Sequence, residues 1–140
     1  MRRLDQYMIY NFLSKFLFII FTFVIIFVAV DIIDNLDRFS NYNLSSQEVI
    51  DYYFYSIPWF FSLALPMSLL LSAIFCFGVL QKNNELTALK SSGISIKRIS
   101  IPILISGIIF SLLSFFFDNS IVVNSLSKRY NIEKKLKPRK

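Results

Sequence analysis

The chain has 140 residues, 55% hydrophobic and 17% aromatic, with a mean hydropathy of +0.56 and a net charge of +6. A soluble domain this small keeps much of its surface in water and cannot bury that much aromatic area, so the composition points to a membrane protein. There is no histidine and a single cysteine, Cys76. This removes the commonest general base, the commonest metal ligand and any internal disulfide.

The lead from Arg2 to Phe12 sets Leu4, Met8 and Phe12 at i, i+4 and i+8 on one helical face, with Arg2, Arg3 and Asp5 off it. This pattern predicts an amphipathic segment lying in the membrane interface before the chain turns into its first span. Three uncharged runs come next: residues 16–30, 52–81 and 99–117. About 20 helical residues cross a hydrocarbon core of about 30 Å, and backbone groups in lipid must be satisfied within the segment. The expected architecture is therefore all-α, with three transmembrane helices near residues 12–33, 55–80 and 98–118. The first is long enough if Lys15 snorkels and the run extends through Asp31, Ile32 and Ile33.

Asp31 and Asp34 lie at i, i+3 near the outer end of that span, and Asp34 can pair with Arg38 at i+4. Asp31 either lines an internal polar pocket or marks where the helix leaves lipid. Tyr52, Tyr53, Tyr55 and Trp59 open the second run as an interfacial aromatic belt. Pro58 and Pro66 each remove a backbone donor from the second span and favour a bend. Serines scattered through the apolar runs suit helix–helix packing in lipid.

Between the second and third spans lies a polar segment with helical character. Asn83 or Asn84 can cap its start, Glu85 sits in its first turn, and Leu86 and Leu89 share a face. Gly93 can end it in a left-handed conformation. Charge sorts by segment: +2 over residues 1–15, −4 over 31–51, +3 over 82–98 and +5 over 118–140. The excess of Lys and Arg puts the N-terminus and the 82–98 segment in the cytoplasm. The basic tail then lies outside, which the rule tolerates where a long domain is translocated. Its cations from Lys128 to Lys140 suit acidic lipid or nucleic acid, or a solvated helix leading into a further domain. The chain reads as the N-terminal part of a longer protein.

Leu4-Asp5-Gln6-Tyr7, the stretch Asp31-Ile32-Ile33-Asp34-Asn35-Leu36-Asp37-Arg38-Phe39, Pro66-Met67-Ser68-Leu69-Leu70-Leu71 and above all Asn84-Glu85-Leu86-Thr87-Ala88-Leu89-Lys90-Ser91-Ser92-Gly93-Ile94-Ser95 are similar to the LptF/LptG (YjgP/YjgQ) permease family. The resemblance implies a membrane subunit of the ABC transporter that extracts lipopolysaccharide from the inner membrane. Such a subunit has six spans, with a periplasmic β-jellyroll-like domain between spans three and four. This chain would supply the first three spans (residues 1–118), followed by a basic tail (119–140) that leads into the absent jellyroll. The resemblance also implies a coupling helix over 83–94. Its Glu85, Leu86, Ala88, Leu89 and Gly93 would seat in a cytoplasmic LptB-type ATPase dimer, while Asp31 and Asp34 would stand at the mouth of the lipid cavity. A second LptF/LptG-type subunit, an LptC-type periplasmic bridge protein and lipopolysaccharide are the implied partners, with no nucleic acid. ATP hydrolysis belongs to the ATPase, so the chain carries no catalytic residue, cofactor or metal. The acidic end of span one leans toward the LptG side. The competing reading is a small membrane scaffold or assembly factor without transport activity.

Overall fold

A computed structural model describes residues 2–41 and 46–136. Helix α1 (Arg2–Asn41) runs antiparallel to α2 (Ser46–Lys82), and a short α3 (Glu85–Ser91) turns the chain into α4 (Ile96–Phe117). A π-helical turn, Asp118–Val122, then carries α4 directly into α5 (Val123–Leu136). The described residues contain no strand. Three stretches are long and apolar enough to cross a membrane, Arg3–Leu36, Val49–Lys82 and Ile96–Ile132. The protein is an all-α membrane protein with three such helices.

The helices extend past the expected spans. A stretch of 34 residues, as in Arg3–Leu36, is about 50 Å long and overshoots the hydrocarbon on either side. One expectation needs correction. The lead does not lie in the interface and then turn; it is the first part of one continuous α1. Its Met8 and Phe12 are buried against α2, α3 and α4, so the apolar face meets protein instead of headgroups. The tail beyond residue 118 stays helical to Leu136, and residues 137–140 fall outside the described set.

The bundle is organised by α2. Tyr52, Ser56, Phe60, Ala64, Ser68, Ser72, Cys76 and Leu80 are all buried, at intervals of four. Each four-residue step turns about 40° past a full helical turn, so the buried stripe winds around α2. Near one end it faces α5. In the middle Ala64 and Leu65 pack on Phe16 and Ile20 of α1. Near the other end Cys76 and Leu80 join Met8, Phe12, Leu86 and Ile99. Ser56, Ser68 and Ser72 are wholly buried, and their hydroxyls donate back to the carbonyls of Tyr52, Ala64 and Leu69 at 2.6, 2.7 and 2.9 Å. The backbone satisfies them, so they present small surfaces at which helices approach closely. Phe16 of α1 also meets Phe110 of α4, their ring centroids 4.7 Å apart. The opposite faces carry exposed Phe18, Phe21, Leu104, Ile108, Leu112, Phe115 and Phe116, the exterior that lipid accepts.

Replacing a small residue of the stripe by a large one must push the helices apart. Ser68→Leu is expected to lower stability by about 1–3 kcal/mol, while Ser68→Ala stays close to the parent. Thermal unfolding in detergent measures both. An unshifted Ser68→Leu would show that the stripe is not a packing seam.

Candidate functional site

The turn from α2 into α3 is made by Asn83 and Asn84, whose amides donate to the carbonyls of Val79 (3.0 Å) and Gln81 (3.1 Å). Asn84 has φ 59°, a left-handed conformation that asparagine tolerates better than most residues. It occupies the position before the helix, but its side chain makes no capping hydrogen bond, so the expected side-chain cap is replaced by backbone geometry. The carboxylate of Glu85 is held from two directions. Tyr7 Oη of α1 donates to Oε2 at 2.7 Å, and Asn83 Nδ2 donates to Oε1 at 3.3 Å.

Leu86 is buried among Met8, Phe12, Leu80 and Ile99, with Leu89 and Ile94 packed on the same cluster. The exit of α3 is a Schellman turn. Gly93 N–H donates to Lys90 O (2.9 Å) and Ile94 N–H to Leu89 O (3.1 Å), with Gly93 at φ 81°. The left-handed glycine expected from the sequence is present. Ser95 then caps α4 by accepting from the Arg98 amide at 3.3 Å, and the Arg98 side chain pairs with Asp5 of α1 at 2.8 Å. The segment is therefore fastened to α1, α2 and α4 at once. Thr87, Ala88, Lys90, Ser91 and Ser92 are left facing outward, flanked by exposed Lys82 and Lys97.

About 40 Å along α1 from Asp5 lies a second polar cluster. Arg129 Nη2 of α5 is 3.5 Å from Asp31 Oδ1 and also donates to the Tyr52 hydroxyl. Its guanidinium lies 4.8 Å from the ring centroid of Tyr52, 5.1 Å from that of Trp59 and 6.0 Å from that of Phe60. Lys128 lies over Tyr55 at 5.3 Å. Tyr52, Tyr55 and Trp59, expected in an interfacial aromatic belt, thus receive the cations of α5, and Tyr52 is buried. Just past the last apolar run, Asp118 accepts a 2.5 Å hydrogen bond from Ser62 of α2.

The model of the family described as the lipopolysaccharide export system permease LptF/LptG matches residues 6–140. The chain belongs to the LptF/LptG family. Comparison with individual curated proteins finds no match. The LptF/LptG family is a permease component of a transporter. In this LptF/LptG chain, Glu85, Leu86, Ala88, Leu89 and Gly93 come together on or beside α3, but they divide into two sets. Leu86 and Leu89 turn into the bundle and Glu85 is tied to Tyr7, while Ala88 and Gly93 are exposed. Asp31 and Asp34 stand one turn apart on α1 but in different surroundings. Asp31 faces Arg129 and Asp34 is exposed. The side chain of Arg38, the expected partner of Asp34, lies outside the described residues. Sequence reasoning missed Arg129 and Tyr7 as the polar partners. Their signal was available only as long-range complementarity, Asp31 with a base 98 positions away and Glu85 with a hydroxyl 78 positions away.

The Asp31–Arg129 pair is mostly shielded, with side-chain exposures of 16% and 14%. Removing one partner strands a buried charge. Arg129→Leu should cost about 3 kcal/mol, with part of that recovered when Asp31→Asn is added. A double-mutant cycle on unfolding midpoints in detergent reads the coupling.

Proposed function

We propose that this chain acts as a permease subunit of the ABC transporter that moves lipopolysaccharide out of the inner membrane, with α3 as its coupling helix. The observation that carries the reading is the two-sided build of α3: an inner face locked to three helices and a free, polar outer face. A segment that passes force between a soluble motor and membrane helices needs both. The family assignment supports the lipid substrate, and the basic flanks of α3 support a cytoplasmic position for it and for the N-terminus. An LptB-type ATPase dimer would dock on Thr87, Ala88, Lys90 and Ser91. Leu86 and Leu89 would pass the displacement inward to Met8 and Phe12 of α1. A second LptF/LptG-type subunit and an LptC-type periplasmic protein would complete the assembly. The Asp31 end of α1 would stand toward the periplasm, near the lipid path.

Two measurements test this. Ala88→Arg should weaken copurification of the ATPase by roughly thirtyfold, the effect of about 2 kcal/mol at an interface centre, while membrane insertion and melting temperature hold. Leu86→Ala should instead lower the melting temperature, because its side chain is buried. Retention of the ATPase by Ala88→Arg would remove the assignment. For orientation, Ser91→Cys in a Cys76→Ser background should react with a membrane-impermeant maleimide only after the inner membrane is opened. Labelling from the periplasmic side would overturn the topology.

A further inference from the structure

Helices α1 and α2 leave a groove of about 440 Å³ on one outer side, lined by Ser14, Lys15, Phe18 and Ile19 of α1 and by Phe75 and Val79 of α2. Its ends differ in chemistry. Ser14, Lys15 and Val79 lie toward the α3 end of the bundle, and Phe18, Ile19 and Phe75 lie deeper along both helices. Lys15 Nζ donates to the Asn11 carbonyl one turn back, at 3.3 Å. The ammonium is thus drawn toward the N-terminal end of α1, the direction in which a lysine snorkels out of lipid. An ammonium has three donors, and among the described residues no carboxylate forms an ion pair with Lys15.

We propose that this groove holds an anionic glycerophospholipid of the leaflet on the α3 side. Its phosphodiester sits on Lys15 beside the Ser14 hydroxyl, and one acyl chain lies along Phe18, Ile19, Phe75 and Val79. The argument is one of matched polarity. A cation with no carboxylate partner among the described residues stands at the mouth of a groove whose walls continue inward as hydrocarbon. Water can solvate the cation but not the walls. A second helix could cover the walls, but it would have to bring a carboxylate to membrane depth to meet Lys15, which is costly. A lipid supplies both halves, and basic pockets between membrane helices on this side collect anionic headgroups. The choice of leaflet rests on the orientation proposed above, whereas the dependence on Lys15 does not. Failure of the maleimide test and failure of the lipid test are therefore separate outcomes.

Native mass spectrometry of the chain, purified in mild detergent with the subunits that accompany it, tests the site. On titration with phosphatidylglycerol or phosphatidylcholine, the parent should retain phosphatidylglycerol preferentially. Lys15→Gln should lose retention by about fivefold, the value of one basic side chain at a membrane surface, and Lys15→Arg should keep most of it. Val79→Trp, which fills the groove while keeping the lysine, should lose retention as well, and it decides the question if Lys15→Gln is not recovered from the membrane. Equal retention of the two lipids, unchanged retention in Lys15→Gln or Val79→Trp, or a Lys15-dependent adduct with the mass of lipopolysaccharide would each overturn the proposal.

Discussion

Helices in lipid gain little from hiding apolar surface, because the surroundings are already apolar. What holds this bundle together is the close approach allowed by small side chains on α2. Ser56, Ala64, Ser68, Ser72 and Cys76 recur along one winding line, all at or near zero exposure. The serines bring no unpaired donor into the contact, since each hydroxyl is returned to its own helix. Opposite them α1 supplies bulk: Met8, Phe12, Phe16 and Ile20 occupy the same four-residue spacing. Because the line drifts around α2, one helix can serve as the common surface for α1, α3, α4 and α5. The π-helical turn at Asp118–Val122 belongs to the same logic. Such a turn inserts a residue into the helix and re-aims the helix beyond it, and here Val122 is buried and Arg129 meets α2.

The two ends of the bundle are closed by ion pairs of different character. Both join α1 to the third span. Asp5–Arg98 is about one-third exposed on each partner, which limits its worth to roughly 0.2–1 kcal/mol. Asp31–Arg129 is shielded, and three aromatic rings surround its guanidinium. The faces of those rings offset part of the desolvation of the arginine. The far end is therefore the firmer closure. The end beside α3 is held by weaker, wetter contacts and by the Met8, Phe12 and Leu86 cluster.

The helices themselves were legible in the sequence because length and hydropathy fix a span almost without reference to neighbours. So was the left-handed glycine at the end of α3, because Gly93 comes after a short helical pattern and only the local chain decides its geometry. The register between helices was not legible. Leu4, Met8 and Phe12 read equally as a stripe for headgroups or for protein, and only the proximity of Leu80, Leu86 and Ile99 decides between them. The same holds for Tyr52 and Trp59, which suit an interface until a basic helix is laid against them. Asp31 was recognised as costly at membrane depth, but its partner lies 98 positions further on. The serines of α2 read in the sequence only as scattered packing residues; their four-residue recurrence with Ala64 and Cys76 becomes a seam once burial is known.

The inward turn of Leu86 and Leu89 changes how a push at α3 would travel. Had the leucines faced outward, the only routes into the membrane would have been the backbone turns at Asn83–Asn84 and Ile94–Ser95, which lead to α2 and α4. With the leucines inside, α3 also presses on Met8 and Phe12, and Glu85 is bonded to Tyr7. These three α1 residues sit near the start of a single 40-residue helix that reaches Asp31 toward its other end. Side-chain contacts therefore give α3 a direct hold on α1 that the order of the chain does not provide. Under the function proposed, the helix nearest the lipid path is one that the short segment touches directly, through Leu86 on Met8 and Phe12 and through Glu85 on Tyr7. The continuity of α1 through its lead, without an interfacial turn, is what makes that grip mechanically useful. A bend after Phe12 would let the lead move while the span stayed still.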